Sequence, residues 1–247
     1  MELDRQLDID HGDRKDVYDY VERHGAVRAD DIRAALSLDR EGLGAHLTVL
    51  RRDGYLRERE DGRYEVAYDL VDPREYETDD GAAYTVRAAG QFDHGELVDA
   101  IRDVAEDGRY IEAETVADVI DHEEVVLRHN DTGSRMVFVA TVAEDIVGWV
   151  HLDLPEAEKL RHTAVLTVGV VEAHRGRGIG DRLLERGTEW ARDRGYEKLY
   201  NSVPATNDTA IAFLEDHGWE TEAVRDDHYR IDGDYVDEVM MARRLEA

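Results

Sequence analysis

Residues 168–184 read Val168-Gly-Val-Val-Glu-Ala-His-Arg-Gly-Arg-Gly-Ile-Gly-Asp-Arg-Leu-Leu184, an apolar strand that runs into a glycine-rich turn and then into a helix. Gly176, Gly178 and Gly180 lack a Cβ atom, so backbone N–H groups can converge at the turn. A helix that begins near Asp181 adds its own unpaired N–H groups and the positive end of its dipole. The stretch therefore predicts a binding site for a phosphate group.

The spacing of these glycines excludes two common nucleotide-binding motifs. In the dinucleotide fingerprint G-x-G-x-x-G the third glycine would fall on Asp181 or Leu183, and no Walker G-x-x-x-x-G-K-[ST] occurs. The pattern that remains is Arg175-x-x-Gly178-x-Gly180. It resembles the R/Q-x-x-G-x-G/A signature of the GNAT superfamily of acyl-CoA-dependent N-acyltransferases, in which the turn holds the pyrophosphate of coenzyme A. Taken alone, the six residues also fit a strand–helix corner without a ligand.

The composition limits the class of protein. The chain has 247 residues, enough for one large or two small domains, and a net charge of −28 with only three lysines. This bias is typical of proteins from salt-loving organisms, so we interpret the charge as solvation in concentrated salt rather than as attraction of cationic partners. The absence of cysteine excludes disulfides, thiolate metal sites and a cysteine nucleophile. Without a signal-peptide pattern or a membrane-length apolar run, we expect a cytoplasmic protein that binds neither membrane nor metal.

The first 68 residues predict a small helical domain. Apolar residues at helical spacing predict three helices, the third capped by Asp39, and the Asp61-Gly62 turn predicts a hairpin. This order, with the motif Leu47-x-x-Leu50-x-x-x-Gly54-Tyr-Leu56, resembles the winged helix-turn-helix domains of microbial transcription regulators, although similar modules also dock proteins or dimerise. The predicted elements are helices over 13–25, over 28–36 and from 39 onward, and hairpin strands over 56–59 and 63–67.

The charges of this domain favour DNA binding only locally. Residues 1–75 hold 13 Lys or Arg and 20 Asp or Glu, a net charge of −7, so the broad basic surface of a DNA-binding domain is missing. Five arginines nevertheless gather at the end of the third helix and on the hairpin, where a winged helix contacts the DNA backbone. We therefore predict DNA contact only by a homodimer or at a specific site, with protein docking as the alternative. These arginines are Arg51, Arg52, Arg57, Arg59 and Arg63.

The rest of the chain predicts the GNAT fold. Residues 69–82 form a predicted linker, since Pro73 and acidic residues interrupt the periodicity there. Residues 83–247 then give the order β-α-α-β-β-β-α-β-α-β-β, which matches that fold: α/β (α+β), with a mixed, mostly antiparallel central sheet. The resemblance extends to three motifs, the last similar to a subgroup that acetylates amino acids, small amines and protein N-termini. They are Val139-Ala-Thr141-x-x-x-x-x-Val147-Gly-Trp149, Asn207-x-x-Ala210-x-x-Phe213-x-x-x-x-Gly218-Trp219 and Gly233-Asp-Tyr235-Val-Asp237-x-x-x-Met241-Ala-Arg243.

The resemblance implies an N-acetyltransferase with acetyl-CoA as cosubstrate and a primary amine as acceptor, either a peptide N-terminus, an amino acid or a small amine. The backbone of 168–170 would pair with the pantetheine arm, 176–181 would hold the pyrophosphate, and Asn207 would reach the coenzyme while capping a helix. The predicted coenzyme-binding residues are Val168, Gly169, Val170, Arg175, Gly176, Arg177, Gly178, Ile179, Gly180, Asp181 and Asn207.

The catalytic residues are the least determined part of the site. Acylation needs a neutral amine and a proton for the leaving thiolate, but the family's usual carboxylate and tyrosine positions hold Val165, Ser202 and Leu214. We predict Tyr229 as the acid, because it lies on the strand after Trp219, which in this fold returns past the cleft. An alternative is a transcription regulator whose GNAT domain binds acyl-CoA as a signal without turnover. Other protic candidates are Glu112, His151, His162, Glu172, Tyr200 and Tyr235.

Overall fold

The computed structural model describes residues 12–53, 55–67, 72–78, 80–105, 111–130, 133–155 and 157–246. Gly54 of the winged-helix motif, and residues 69–71 and 79 of the predicted linker, lie outside the described residues. The described residues form a three-stranded sheet and a nine-stranded sheet. None of the helices in these ranges is both long enough and apolar enough to cross a membrane.

The amino-terminal part contains three helices and the small sheet. Its core is made by Val17, Tyr18 and Val21 of the first helix together with apolar residues of the other elements. The predicted helices and hairpin are confirmed to within two residues, and Asp39 caps the third helix by accepting a hydrogen bond from Gly42 N at 2.7 Å. The two-residue β1 is too short to show an alternating pattern in the sequence. The elements are α1 (Gly12–His24), β1 (Val27–Arg28), α2 (Ala29–Leu36), α3 (Arg40–Arg52), β2 (Leu56–Glu58) and β3 (Arg63–Val66).

The carboxyl-terminal part contains the large sheet and four helices in the described ranges. From the second of its strands onward the predicted order is confirmed, with the short β6 added. The elements are β4 (Arg74–Glu77), β5 (Ala83–Ala88), α4 (His94–Ala105), α5 (Ile111–Glu123), β6 (Arg128–Asn130), β7 (Gly133–Val142), β8 (Asp145–Leu154), β9 (Thr163–Val170), α6 (Ile179–Asp193), β10 (Lys198–Pro204), α7 (Asp208–Asp216), β11 (Glu220–Ile231) and β12 (Asp234–Arg244).

The large sheet is mixed and mostly antiparallel, as predicted. Its strand order is β11-β12-β10-β9-β8-β7-β5-β4, with β6 paired to β7. β9 and β10 are parallel, and the other described pairs are antiparallel. Helices α4 and α5 pack against strands β8 to β10, whereas α6 packs against β7, β8 and β9. The helices thus enclose the middle of the sheet, where β9 leads into the glycine-rich turn.

The prediction of a continuous linker over 69–82 is wrong for residues 74–77. These residues form β4, which pairs with β5 at the edge of the large sheet. Tyr76 stacks on Tyr84 with ring centroids 5.5 Å apart, and Arg74 forms a 2.7 Å ion pair with Glu189 of α6. The sequence Arg-Glu-Tyr-Glu contains one apolar residue, so its strand depends on these tertiary contacts and leaves no clear periodicity.

The parallel strands β9 and β10 pair only at their beginnings. Their register runs from Lys198 opposite Thr163 to Tyr200 opposite Val165 and ends there. β9 remains paired with β8 as far as Val170, so it is β10 that separates from it. The resulting gap opens toward the glycine-rich turn and gives the sheet an internal cleft.

Candidate active site

A cavity of about 270 Å³ opens where β9 and β10 separate. The end of β9, the glycine-rich turn, the end of β10 and the first turns of α5 and α7 form its walls. The cavity brings together nine of the eleven predicted coenzyme-binding residues, namely Val168, Gly169, Val170, Arg175, Gly176, Gly178, Gly180, Asp181 and Asn207.

The backbone of β9 faces the gap at every second residue. Val171 N donates a hydrogen bond to Val147 O at 3.0 Å, so in this antiparallel register the main-chain groups of 167 and 169 also face β8. Those of Val168 and Val170 therefore face away from β8, toward the cavity. A strand that presents its amide and carbonyl groups in this way suits the two amides of a pantetheine arm.

The glycine-rich turn has a backbone that only glycine adopts without strain. Gly176 and Gly178 have φ angles of +68° and +81°. Gly178 is the N-cap residue of α6 and has no side chain to cap the first turn. The N–H groups at the start of α6 can therefore bind an anion, helped by the helix dipole. Arg175 Nε donates to Val170 O at 2.8 Å, which ties the turn to the end of β9.

Two predicted coenzyme-binding residues have side chains outside the cavity. The side chain of Ile179 is 1% exposed and belongs to the hydrophobic core, so only its backbone N–H can serve the turn. Arg177 forms a 3.5 Å ion pair with Asp80, in the turn between β4 and β5. The predicted role of both residues therefore depends on their backbone N–H groups, because spacing within a motif does not reveal which neighbours each side chain meets.

Asn207 lies where both interpretations of its role are possible. It is 3% exposed and lines the cavity, and its Oδ1 accepts a hydrogen bond from Ala210 N at 3.1 Å as the N-cap of α7. The cap holds the start of α7 beside the end of β10. Across the cavity, Asp181 in the first turn of α6 forms a 3.0 Å pair with His217, which follows α7. These contacts connect the two helices that flank the end of the cavity nearest the glycine-rich turn.

Glu112 lines the cavity from the first turn of α5. The hydroxyl of Tyr229 donates a hydrogen bond to Glu112 Oε1 at 3.3 Å and lies 3.5 Å from Glu238 Oε1. Tyr229 itself is 8% exposed and does not line the cavity. Tyr229, the residue predicted as the general acid, is therefore separated from the cavity by the carboxylate of Glu112. In the sequence, Glu112 is only one of several protic candidates.

The electrostatic surroundings of this pair affect both groups. Burial raises the pKa of the Glu112 carboxyl, and the hydrogen bond from Tyr229 opposes that shift. Burial and the charges of Glu112 and Glu238 raise the pKa of Tyr229 above its ordinary value. A phenol with a raised pKa is a weaker acid, so these surroundings suit Tyr229 better as a hydrogen-bond donor that holds Glu112 than as a general acid.

The remaining candidate positions are less suited to proton transfer in the cavity than Glu112. Ser202 and Leu214 line the cavity, but Val165 lies where β9 and β10 are still paired. His151 is 7% exposed, and burial lowers its pKa to about 3, so its ring is neutral at neutral pH. His162, Glu172, Tyr200 and Tyr235 do not line the cavity.

The five arginines predicted to contact DNA all form ion pairs with nearby carboxylates. A DNA phosphate would have to compete with these carboxylates for the guanidinium groups. The N–O distances are 2.6 Å for Arg51–Glu58, 2.7 Å for Arg52–Asp53, 2.6 Å for Arg57–Glu65, 3.2 Å for Arg59–Glu65 and 3.6 Å for Arg63–Asp61.

Comparison with known proteins identifies the class of the carboxyl-terminal part. Residues 97–219 match the Acetyltransferase (GNAT) family. Residues 97–219 are therefore a domain of the GNAT acetyltransferase family, whose members use acetyl-CoA. The match includes the whole of the β9–turn–α6 segment and the start of α5.

Individual relatives match over shorter stretches. Mycothiol acetyltransferase of Corynebacterium glutamicum is 37% identical over 78 residues, 31% of this chain and 25% of that protein. N-alpha-acetyltransferase RimI of Mycobacterium tuberculosis is 38% identical over 69 residues, 28% of this chain and 42% of that protein. The chain spans from a quarter to about half of the length of the curated relatives it matches. The solved GNAT domain of PAT from S. lividans aligns with a TM-score of 0.54 at 22% identity, over 70% of this chain and 97% of that one, which supports the fold.

Proposed function

We propose that the protein transfers an acetyl group from acetyl-CoA to a primary amine. The observation that carries this proposal is the cavity between β9 and β10, which has the glycine-rich turn at one end and the carboxylate of Glu112 on another wall. The GNAT family match over 97–219 supports it. Acetyl-CoA supplies the activated thioester, and the chain supplies binding, orientation and proton transfer.

The residues of the cavity fit the coenzyme. The N–H groups around Gly176–Asp181 would bind the pyrophosphate, and the left-handed backbone at Gly178 brings them together without a Cβ in the way. The main-chain groups of Val168 and Val170 would pair with the pantetheine arm. Asn207 would contact the coenzyme from the start of α7. These assignments use backbone groups more than side chains, which explains why glycine dominates the motif.

The proposed acceptor is an α-amine of a peptide or a small molecule. At pH 7 an α-amino group with a pKa near 7.8 is about 14% neutral, whereas a lysine side chain is about 0.04% neutral. An enzyme without a carboxylate at Val165 or Ser202 benefits from an acceptor that already has this neutral fraction. RimI, one of the relatives, is named as an N-alpha-acetyltransferase, which supports the same class of acceptor.

The proposal is tested with purified protein, acetyl-CoA and a panel of acceptors: tetra-alanine amide, Nα-acetyl-lysine amide, glycine amide, spermidine and tyramine. Mass spectrometry of the products should find acetylation, fastest on an α-amine. Faster acetylation of Nα-acetyl-lysine amide than of tetra-alanine amide would refute the acceptor class. If no amine of the panel is acetylated, the proposed acetyltransferase function is refuted.

A second candidate is a transcription regulator that binds acyl-CoA without turnover. The observation in its favour is that Val165, Ser202 and Leu214 offer neither a strong base nor a strong acid at the family's usual positions. Thermal stabilisation by acetyl-CoA without any acetylated product would support this candidate over the enzyme.

For the amino-terminal part we propose contact with DNA as a homodimer. The order of three helices and a hairpin supports the proposal, but the ion pairs of Arg51, Arg52, Arg57, Arg59 and Arg63 weigh against it. The test is selection of genomic fragments in high salt by wild type and by an Arg51→Glu, Arg57→Glu variant. Enrichment by wild type alone is expected. Equal enrichment, or none by wild type, would favour protein docking instead.

A further inference from the structure

We propose that Glu112 is a catalytic residue that binds the incoming ammonium group of the acceptor and takes its proton, and that Tyr229 positions the Glu112 carboxylate. This inference rests on the proposed acetyltransferase function and adds the residue that prepares the amine. Neither role follows from the family's motif, because the two residues lie outside the β9–turn–α6 signature.

Glu112 lies where an amine in the cavity would meet its carboxylate. Among the described residues, the carboxylates that line the cavity are Glu112 and Asp181. Asp181 lies beside the phosphate-binding turn and is paired with His217 at 3.0 Å, so it belongs to the coenzyme end. Glu112 lies on α5 and is therefore the carboxylate that an amine in the cavity would meet.

Glu238 is the other carboxylate within reach of the Tyr229 hydroxyl, and it has partners of its own. Glu238 is 3% exposed, and its Oε2 lies 3.0 Å from Arg225 Nη1 and 3.5 Å from His228 Nε2. Glu238 Oε2 is thus ion-paired from β11, although it accepts no hydrogen bond from the described residues. The single hydroxyl proton of Tyr229 faces the Oε1 atoms of both carboxylates, and Glu112 is the closer acceptor at 3.3 Å against 3.5 Å.

The surroundings of Glu112 support its use as a base. The titratable groups around it are Tyr229, Glu238, His228 and Arg225. Burial raises the pKa of Glu112, which moves a carboxyl group toward neutral pH, where a general base works best. The repulsion from Glu238 acts in the same direction, whereas His228 and Arg225 oppose it.

The acceptor R–NH₃⁺ gives one proton to the Glu112 carboxylate and becomes R–NH₂. Its nitrogen attacks the thioester carbonyl, the C–N bond forms and the C–S bond breaks. A second proton leaves the nitrogen and is taken up by the thiolate to give CoA–SH. Glu112 then releases its proton to solvent, so the products are the N-acetylated amine, CoA–SH and one proton.

The main test is Glu112→Gln, which keeps an oxygen to accept the hydrogen bond from Tyr229 but removes the base. We expect kcat/KM for the best acceptor of the panel to fall by about 10²–10⁴, while the thermal shift caused by acetyl-CoA is unchanged. The matched control is Glu114→Gln, an exposed carboxylate in the same first turn of α5, which should keep at least half of the wild-type kcat/KM.

The pH profile separates a base from a structural contact. In wild type the rise of kcat/KM with pH should include a limb for a carboxyl group with a raised pKa, and Glu112→Gln should lose that limb. Tyr229→Phe removes a hydrogen bond that lowers the pKa of Glu112, so the limb should move to higher pH. In Glu112→Gln, an unchanged kcat/KM or an unchanged limb would overturn the catalytic role. An unmoved limb in Tyr229→Phe would overturn the positioning role.

The failure of this inference is distinguishable from that of the proposed function. If Glu112→Gln acetylates as fast as wild type, the proposed acetyltransferase function is retained and Glu112 is excluded as the base. If wild type yields no product with any panel amine, the proposed function fails and this inference fails with it. If Glu112→Gln loses both activity and the acetyl-CoA thermal shift, while Glu112→Asp keeps the shift and loses only the rate, the catalytic role is retained. Loss of the shift in both variants would instead assign Glu112 to the structure of the cavity.

Discussion

The backbone conformation of Gly178 favours glycine and lies at the proposed phosphate site. Its φ of +81° is strained for any residue with a Cβ, and its position at the N-cap of α6 lets a ligand approach the first-turn N–H groups. A ligand at one hundred times its Kd stabilises a folded protein by about 2.7 kcal/mol. We predict that Gly178→Val abolishes this stabilisation by acetyl-CoA, as measured by thermal melting.

The matched control for this variant is Gly195→Val. Gly195 has a similar φ of +82° and lies just beyond the other end of α6, where a Cβ would meet nothing within 4 Å. Its replacement should strain the backbone to a similar extent but preserve the shift caused by acetyl-CoA. Preservation of the full shift in Gly178→Val would move the coenzyme away from this turn.

Gly169 is required by packing and not by its backbone conformation. A Cβ at this position would lie 2.9 Å from the Cε2 and Cζ2 atoms of the Trp149 ring. We predict that Gly169→Ala lowers the free energy of unfolding by about 1–3 kcal/mol, because overpacking displaces the ring or the strand. Urea denaturation is the measurement, and Gly95→Ala, where a Cβ would meet open space, is the control. Equal stability of Gly169→Ala and wild type would contradict the close contact.

Single residues also mark how far the candidate site could be predicted from the sequence. The glycine turn is a local motif, so its residues can be identified by spacing alone. The contact between Glu112 and Tyr229 joins residues 117 positions apart, and no local pattern encodes it. Ile179 and Arg177 lie within the motif, yet one is buried in the core and the other pairs with Asp80. Motif membership therefore predicts backbone roles better than side-chain roles.

At the scale of elements, a buried arginine of α6 holds the residues that lead into β4. Arg186 is 2% exposed, its Nη2 donates to Asp72 O at 2.9 Å, and its guanidinium lies 5.1 Å from the centroid of the Phe138 ring. We predict that Arg186→Ala destabilises the protein by about 2–4 kcal/mol, because it removes packing against Phe138 of β7 and leaves the carbonyl of Asp72 without its donor. Denaturant unfolding followed by circular dichroism measures the change.

The control for this variant is Arg182→Ala, one turn earlier on α6. Arg182 is about half exposed, forms a 2.7 Å ion pair with Glu185 and lies 5.3 Å from the centroid of the Tyr76 ring of β4, so its loss should cost about 1 kcal/mol or less. Equal costs for Arg182→Ala and Arg186→Ala would show that the buried contact of Arg186 adds nothing beyond such exposed contacts.

The elements that the sequence predicts well are those with their own periodicity or cap. α3 begins after Asp39 as predicted, and the strands from β7 to β10 follow their apolar runs to within three residues. The strands that the sequence does not reveal, β1, β4 and β6, have two to four residues. Elements of this length form through pairing with a neighbour, so they are visible in the sequence only where a turn motif indicates the pairing, as Asp61-Gly62 does for β2 and β3.

At the scale of the whole molecule, the net charge of −28 should make stability depend on salt. Repulsion among carboxylates acts over a Debye length of about 10 Å at 0.1 M salt and about 3 Å at 1 M. We predict that raising KCl from 0.1 M to 2 M raises the melting temperature by several degrees, since about 1 kcal/mol corresponds to about 2–4 °C for a chain of this size. Sucrose, which carries no charge, is the control for general exclusion effects. A melting temperature that falls or stays constant in KCl would contradict the prediction.

Because Trp149 packs closely against Gly169, its fluorescence should be sensitive to a ligand bound along β9. The indole is fully buried and lies against the strand whose backbone faces the proposed pantetheine arm. Coenzyme bound along Val168 and Val170 would change the dielectric surroundings and the freedom of that ring, so tryptophan emission should respond to titration with acetyl-CoA. Trp149→Phe should remove most of the response, while Trp190→Phe, on the far part of α6, should leave it intact. The affinity for acetyl-CoA could then be measured without a label, an acceptor or turnover.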